Sequence, residues 1–174
     1  MKYKKNVYEG QNVYLQYYEI RNGLKPLVLL HAQAVDSTSY FGVMPKLAQH
    51  FHVYAVDCYG HGGSLHDASK YNVTDIGNAV ISFIQNVIQE QVCLLGHSSG
   101  GHLAMMAVLY NACGRIKMPD VKGVILESAS SNLLICFTQR PVQHFGAGRC
   151  TVFLLPRRKA EALLQLCGSI HSLP

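Results

Sequence analysis

Gly96-His97-Ser98-Ser99-Gly100 constrains the fold of this chain more than any other segment. It has the form G-x-S-x-G, and its flanks give that form meaning. Val92-Cys93-Leu94-Leu95 before it is a short apolar run that reads as a buried strand. Gly101 to Leu109 after it reads as a buried helix. Strand, sharp turn, helix is the setting a nucleophile elbow requires. Backbones crowd in so tight a turn, and Gly96, Gly100 and Gly101 leave room for them. A serine placed there stands at the carboxyl end of its strand and the N-terminus of its helix. Free N–H groups and the helix dipole favour a developing oxyanion at that point.

The rest of the chain alternates strands and helices around this turn. Val13 to Tyr18 is β-rich, follows the turn signal Glu9-Gly10-Gln11-Asn12, and pairs with the segment near Tyr3 to Tyr8 as an antiparallel hairpin. Leu27-Val28-Leu29-Leu30 is continuously apolar, as a strand covered on both faces must be. Asp36, Ser37 or Thr38 caps a helix running to about Gln49, with Pro45 delaying its start or kinking it. Phe51 to Val56 is the next strand. Thr74 caps a helix whose apolar positions are Ile76, Val80, Phe83, Ile84, Val87 and Ile88. Beyond the elbow, Pro119-Asp120 leads into the strand Gly123-Val124-Ile125-Leu126. A hairpin followed by repeated β-α units predicts an α/β fold, a mostly parallel doubly wound sheet with helices on both faces. Ligands of such sheets bind beyond the carboxyl ends of the strands. Those ends carry His31-Ala32-Gln33, the loop Asp57 to Ser64, Ser98 and Glu127-Ser128, so the polar, glycine-rich segments collect along one edge.

Composition narrows the class. The 174 residues are 49% hydrophobic and 14% charged, which suits a globular domain with buried sheet and not a disordered chain. No apolar run reaches the roughly 18 residues of a membrane span, and no apolar h-region follows the basic start, so neither a membrane nor secretion is expected. The six cysteines, at 58, 93, 113, 136, 150 and 167, form no C-x-x-C pair. Free thiols in a reducing cytoplasm follow, with no metal. The absence of H-E-x-x-H, a P-loop lysine and a dinucleotide fingerprint implies no organic cofactor. The net charge of +5 suggests nucleic acid until its distribution is seen. Residues 1–136 hold ten Lys/Arg against nine Asp/Glu, and residues 137–174 hold five against one. The basic character belongs to the tail, whose densest cluster, Arg157-Arg158-Lys159, is shorter than a nucleic-acid patch, so no nucleic-acid partner is expected.

Three segments together resemble the α/β-hydrolase fold family, the broad group of esterases, C–C hydrolases, haloalkane dehalogenases and cofactor-free haloperoxidases. Leu29-Leu30-His31-Ala32-Gln33 is similar to the family's turn after its third strand. Asp57-Cys58-Tyr59-Gly60-His61-Gly62-Gly63-Ser64 is similar to its D-x-x-G-H-G-x-S loop, and Gly96 to Gly101 to its elbow. The likeness covers about residues 1–132 and speaks for the fold more than for a substrate. It implies Ser98 as nucleophile and the backbone N–H groups of Gln33 and Ser99 as the oxyanion hole. It implies His31, Ala32 and His97 as the pocket wall, with Ala32 standing where the family usually has glycine. A serine, not an aspartate, at the nucleophile position favours acyl transfer to water over dehalogenation or epoxide opening. A small-molecule ester or other acyl substrate is therefore expected.

A serine also needs a general base, usually a histidine held by a carboxylate. In this fold the chain order is serine, acid, histidine. Glu127, ending the last strand of the core, is the acid candidate, and His144 and His171 are the base candidates. Nothing after residue 132 resembles the family's acid turn, histidine loop, strands 7–8 or cap. The reading divides the chain into a core, 1–135, and a basic tail, 136–174, with a strand at 151–155 and a helix at 159–167. That tail suggests a truncated or frame-disrupted product. Two functional expectations therefore stand: a serine hydrolase using Ser98, or a catalytically incompetent hydrolase-like protein serving as a binding module.

Overall fold

The hairpin pattern near the N-terminus becomes two strands, β1 (Lys4–Gly10) and β2 (Val13–Ile20), paired antiparallel from Lys4↔Glu19 to Gly10↔Val13. Asn12 turns between them with φ +60°, a conformation asparagine tolerates better than most residues. The computed structural model describes residues 2–112 and 121–127. The tail expectations, the strand at 151–155, the helix at 159–167, His144 and His171, lie outside the described residues.

The continuous apolar run and the strand expected at 51–56 become buried strands, β3 (Pro26–Leu30) and β4 (His52–Val56). With β5 (Val92–His97) and β6 (Val121–Glu127) they complete a six-stranded sheet in the order β1-β2-β4-β3-β5-β6. The β4-β3-β5-β6 part is parallel, and β2 joins β4 antiparallel. The mixed, mostly parallel sheet is the one the sequence pattern predicts.

Strand alternation sorts the core into two layers. Leu27, Leu29, Val53 and Ala55 face one side, where they meet Tyr40, Val43, Met44 and Leu47. Val28, Leu30, Tyr54 and Val56 face the other, where they meet Val80, Phe83, Ile84, Leu103 and Ala107. Successive side chains of a strand point to opposite faces, so one run of four apolar residues serves both layers. Burying a large aliphatic or aromatic side chain contributes about 1.5–3 kcal/mol, and the side chains of Leu27, Leu29, Leu30, Leu94 and Phe83 are all fully buried.

Two helix expectations need correction. The segment after Asp36 is not one helix to Gln49: it is a 3-10 turn, Ser37–Tyr40, followed by a single α turn, α1 (Met44–Leu47). Pro45 sits in the first turn of α1, the position where its missing N–H goes unused, so the proline sets the start. Asp36 does cap the 3-10 turn, accepting from Thr38 N at 2.9 Å. In α2 (Val73–Phe83) the cap is Asn72 and not Thr74. Asn72 Oδ1 accepts from Asp75 N at 2.9 Å, and its Nδ2 donates to Asp75 Oδ2 at 2.6 Å. That reciprocal arrangement outcompetes a threonine two residues into the turn. The helix widens into a π turn over Ile84–Ile88 and stops at Gln89, φ +59°, whose N–H returns to Ile84 O at 2.9 Å. The final helix is α3 (Ser99–Ala112), directly behind the elbow. Among the described residues no helix is long and apolar enough to cross a membrane.

Candidate active site

Ser98 occupies the junction of β5 and α3 with φ +52°, in the left-handed region. A non-glycine residue held there costs about 1–3 kcal/mol and persists only where its surroundings impose it. The surroundings here are visible. A Cβ on Gly96 would lie 2.3 Å from the Gly100 carbonyl oxygen, so the turn closes on itself over the glycine. A Cβ on Gly100 would lie 2.0 Å from Leu30 O and 2.7 Å from His31 O. The start of α3 thus rests on the backbone at the end of β3. The Ser98 carbonyl accepts from Gly101 N at 3.0 Å and His102 N at 3.4 Å, which begins the helix at the serine itself. Ser98, Ser99 and His97 are half-buried.

The same Gly100 contact sets the turn 31–35 beside the elbow. Tyr40 Oη donates to Leu30 O at 2.8 Å and steadies the end of β3. Gln33 is exposed, and Ala34 follows it with φ +65°. Among the described residues, the backbone N–H groups of Gln33 and Ser99 donate to no backbone carbonyl outside the regular elements. Ala32 is half-buried. His31 is 2% exposed, and both ring nitrogens bond backbone: Nδ1 donates to Ala32 O at 2.8 Å and Nε2 accepts from Cys58 N at 2.9 Å. Burial holds its pKa below the ordinary histidine value, against the Ala32 carbonyl, which pulls it up. A neutral ring so engaged braces the wall.

The loop 57–64 packs against that turn. Asp57 is 1% exposed, yet it is a fully engaged acceptor. Its Oδ1 accepts from Ser37 N at 2.9 Å and from the Ser37 hydroxyl. Its Oδ2 accepts from Gln16 Nε2 at 2.7 Å and Gly63 N at 2.9 Å. One carboxylate therefore ties β2, the 36–38 segment and its own loop together, the condition under which a buried charge is tolerated. Gly62, φ +52°, is required because a Cβ there would lie 2.0 Å from Asp57 Oδ2. Ser64 adds a relay, accepting from Gln16 N at 2.8 Å and donating to Asp57 O at 2.6 Å. Sequence reasoning assigns Asp57 to this loop but misses Gln16. Its one signal is a polar residue set between the apolar Leu15 and Tyr17. The Cys58 thiol is buried and pushed up to about 12 by desolvation, with Asp57 adding, so it is inert at neutral pH.

Glu127 ends β6 in register with His97, one residue before Ser98, so the backbone of the acid candidate reaches the elbow's edge of the sheet. The base candidates His144 and His171 lie outside the described residues. The rings of His31, His52, His61 and His66 bond Ala32 O and Cys58 N, Glu19, Tyr59 O and Ala34 N, and Gly62 O respectively, so none of these bonds reaches Ser98. Among the described residues no group of three or more His, Cys, Asp or Glu is placed to hold a metal ion.

Known proteins resemble this chain in sequence and in fold. A family model described as "Alpha/beta hydrolase family" matches residues 27–167, a span that runs on into the basic tail. An uncharacterized protein of Mycobacterium tuberculosis is 35% identical over 92 residues, 53% of this chain and 27% of the relative. The pimeloyl-[acyl-carrier protein] methyl ester esterase of Yersinia pseudotuberculosis is 31% identical over 127 residues, 72% of this chain and 43% of the enzyme. The chain thus spans well under half the length of these relatives. Among solved structures, epoxide hydrolase A of Mycobacterium thermoresistibile superposes with a TM-score of 0.62 at 23% identity, over 72% of this chain and 39% of that one. Haloalkane dehalogenase DbeA of Bradyrhizobium elkani gives 0.63 at 19%, over 74% and 42%. At these identities the structures attest the fold. With the matched span covering most of its length, the chain belongs to the alpha/beta hydrolase family.

Proposed function

We propose that this chain carries the catalytic core of a serine hydrolase acting on a small ester or other acyl substrate. The observation that carries the reading is the left-handed Ser98, strained at a strand-to-helix junction whose glycines seat it beside the 31–35 turn. Ser98 attacks the acyl carbon. The N–H groups of Gln33 and Ser99 receive the oxyanion, from two segments that the Gly100 contact holds together. His31, Ala32 and His97 wall the pocket. Glu127 orients the base, which is His144 or His171. The base takes the serine proton and gives it to the leaving group. It then takes a proton from water as that water attacks the acyl-serine, and returns it to Ser98 as the acid leaves. The ester class draws support from the Yersinia esterase, and a hydrolytic role from the uncharacterized hydrolase YugF of Bacillus subtilis, 28% identical over 102 residues. No cofactor enters this reaction, and a cysteine spacing without a C-x-x-C pair favours the cytoplasm as its place.

A fluorophosphonate probe read by intact mass tests the proposal on the folded chain. One adduct, lost in Ser98→Ala, is the expected result. A folded wild-type chain that takes no adduct refutes it and favours a binding role for the same scaffold.

A further inference from the structure

Two loops meet at the carboxyl edge of the sheet, and each sends an imidazole to the other's backbone. His31 leaves the 31–35 turn and its Nε2 accepts from Cys58 N at 2.9 Å. His61 leaves the 57–64 loop and its Nε2 accepts from Ala34 N at 3.3 Å. Each ring is also anchored at home, His31 Nδ1 on Ala32 O at 2.8 Å and His61 Nδ1 on Tyr59 O at 2.9 Å. A carbonyl facing Nδ1 and an N–H facing Nε2 require the same neutral form of both rings, protonated at Nδ1 alone. The rings meet edge to face, 4.9 Å between centroids.

We propose that His31 and His61 form a reciprocal clasp that positions the Gln33 N–H for the oxyanion, and that protonating either ring releases it. The catalytic half of this statement rests on the serine-hydrolase reading. Ala34 holds φ +65°, which an exposed alanine abandons unless something retains it, and the bond to His61 is what retains it. Gln33 directly precedes Ala34, so the direction of its N–H depends on that turn. A second proton on either ring sets N–H against N–H and removes the acceptor. Among the described residues, the titratable groups around the clasp are few. Asp36, Asp57 and the partner ring face His31, Asp36 and His31 face His61, Tyr18 acts on both carboxylates, and His66 bonds Gly62 O beside His61. For His31, burial disfavours the cationic ring, as do the opposed Cys58 N–H and the second imidazole, while the Ala32 carbonyl and the carboxylates favour it. His61 is a positioning residue here: it acts through Ala34.

The test combines ring nitrogen NMR, amide exchange and probe labelling on the full chain, with His61→Ala and His61→Gln. Glutamine keeps an acceptor near the Nε2 position and carries no titrating proton. At pH 8 both rings are expected as Nδ1–H, with the Cys58 and Ala34 amide shifts moving in step with ring protonation as the pH falls. Amide exchange at 32–35 should quicken about tenfold in His61→Ala and recover in His61→Gln. The Ser98 labelling rate should fall roughly ten- to a hundredfold in His61→Ala, since small misplacements of a catalytic donor cost that much. The glutamine variant should also label with a flatter pH profile than wild type. An Nε2–H or cationic ring at pH 8, or exchange at 32–35 unchanged in His61→Ala, overturns the clasp whatever Ser98 does. A wild type that shows the clasp by NMR and exchange but takes no probe leaves the clasp standing as a pH-sensitive loop lock and removes the hydrolase reading. Normal labelling of His61→Ala alongside quickened exchange overturns the catalytic half.

Discussion

Ser98 keeps φ +52° although glycine would accept that conformation without strain. The side chain is therefore retained against a cost, and the cost is measurable. Ser98→Ala removes the hydroxyl but keeps a Cβ, so the strain remains. Ser98→Gly removes both. The glycine variant should be more stable than the alanine variant by about 1 kcal/mol, the usual penalty of a left-handed non-glycine residue. Urea midpoints at constant m-value check this. Equal midpoints would mean that the turn, not the residue, sets the conformation at no expense.

At the scale of elements, glycines inside the helices differ in what a side chain there would meet. Gly77 lies inside α2, and a Cβ added to it would meet nothing within 4 Å, whereas a Cβ on Gly100 would strike Leu30 O at 2.0 Å. Gly77→Ala should stabilise by about 0.5–1 kcal/mol through helix propensity. Gly100→Ala should destabilise by about 1–3 kcal/mol or more, because backbone cannot step aside. Thermal midpoints moving in opposite directions are the expected outcome, and a neutral Gly100→Ala would detach α3 from β3. The same contrast explains what the sequence makes legible. The centres of β3, β4 and β5 announce themselves because burial on both faces demands apolar side chains there. The elbow announces itself because close approach demands glycine. The segment after Asp36 is harder to read, because capping residues mark where a helix begins and say little about where Pro45 divides it. Asn72 is less conspicuous than Thr74 because its worth lies in a reciprocal bond to Asp75. In the candidate site, Ser98 is plain from local pattern. The bonds of Gln16 to Asp57 and of His61 to Ala34 join residues 41 and 27 positions apart, and no local spacing reports such pairs.

For the whole molecule, the loops at the carboxyl edge make folding sensitive to acid. His31 titrates lower when folded than its ordinary value of 6.5, chiefly because it is buried. Below about 6.5 the unfolded chain therefore binds the proton first, and stability falls as pH drops through that range. Asp36, held below 3.8 mainly by the Thr38 hydroxyl, adds a second loss only in stronger acid. Urea unfolding at pH 7.5 and 5.5 should show the first loss, reduced in His31→Gln; identical curves would contradict it. The strand order has a consequence of a different kind, one of timing. β3 lies between β4 and β5, both of which follow it in the chain. One edge of β3 is covered once residue 56 is available, but the other waits for β5, about 40 residues and a few seconds of translation later. Throughout that interval Leu27-Val28-Leu29-Leu30 offers a bare apolar edge to any neighbouring strand. A ribosome that stalls between these points prolongs the time in which β3 can pair with the wrong strand.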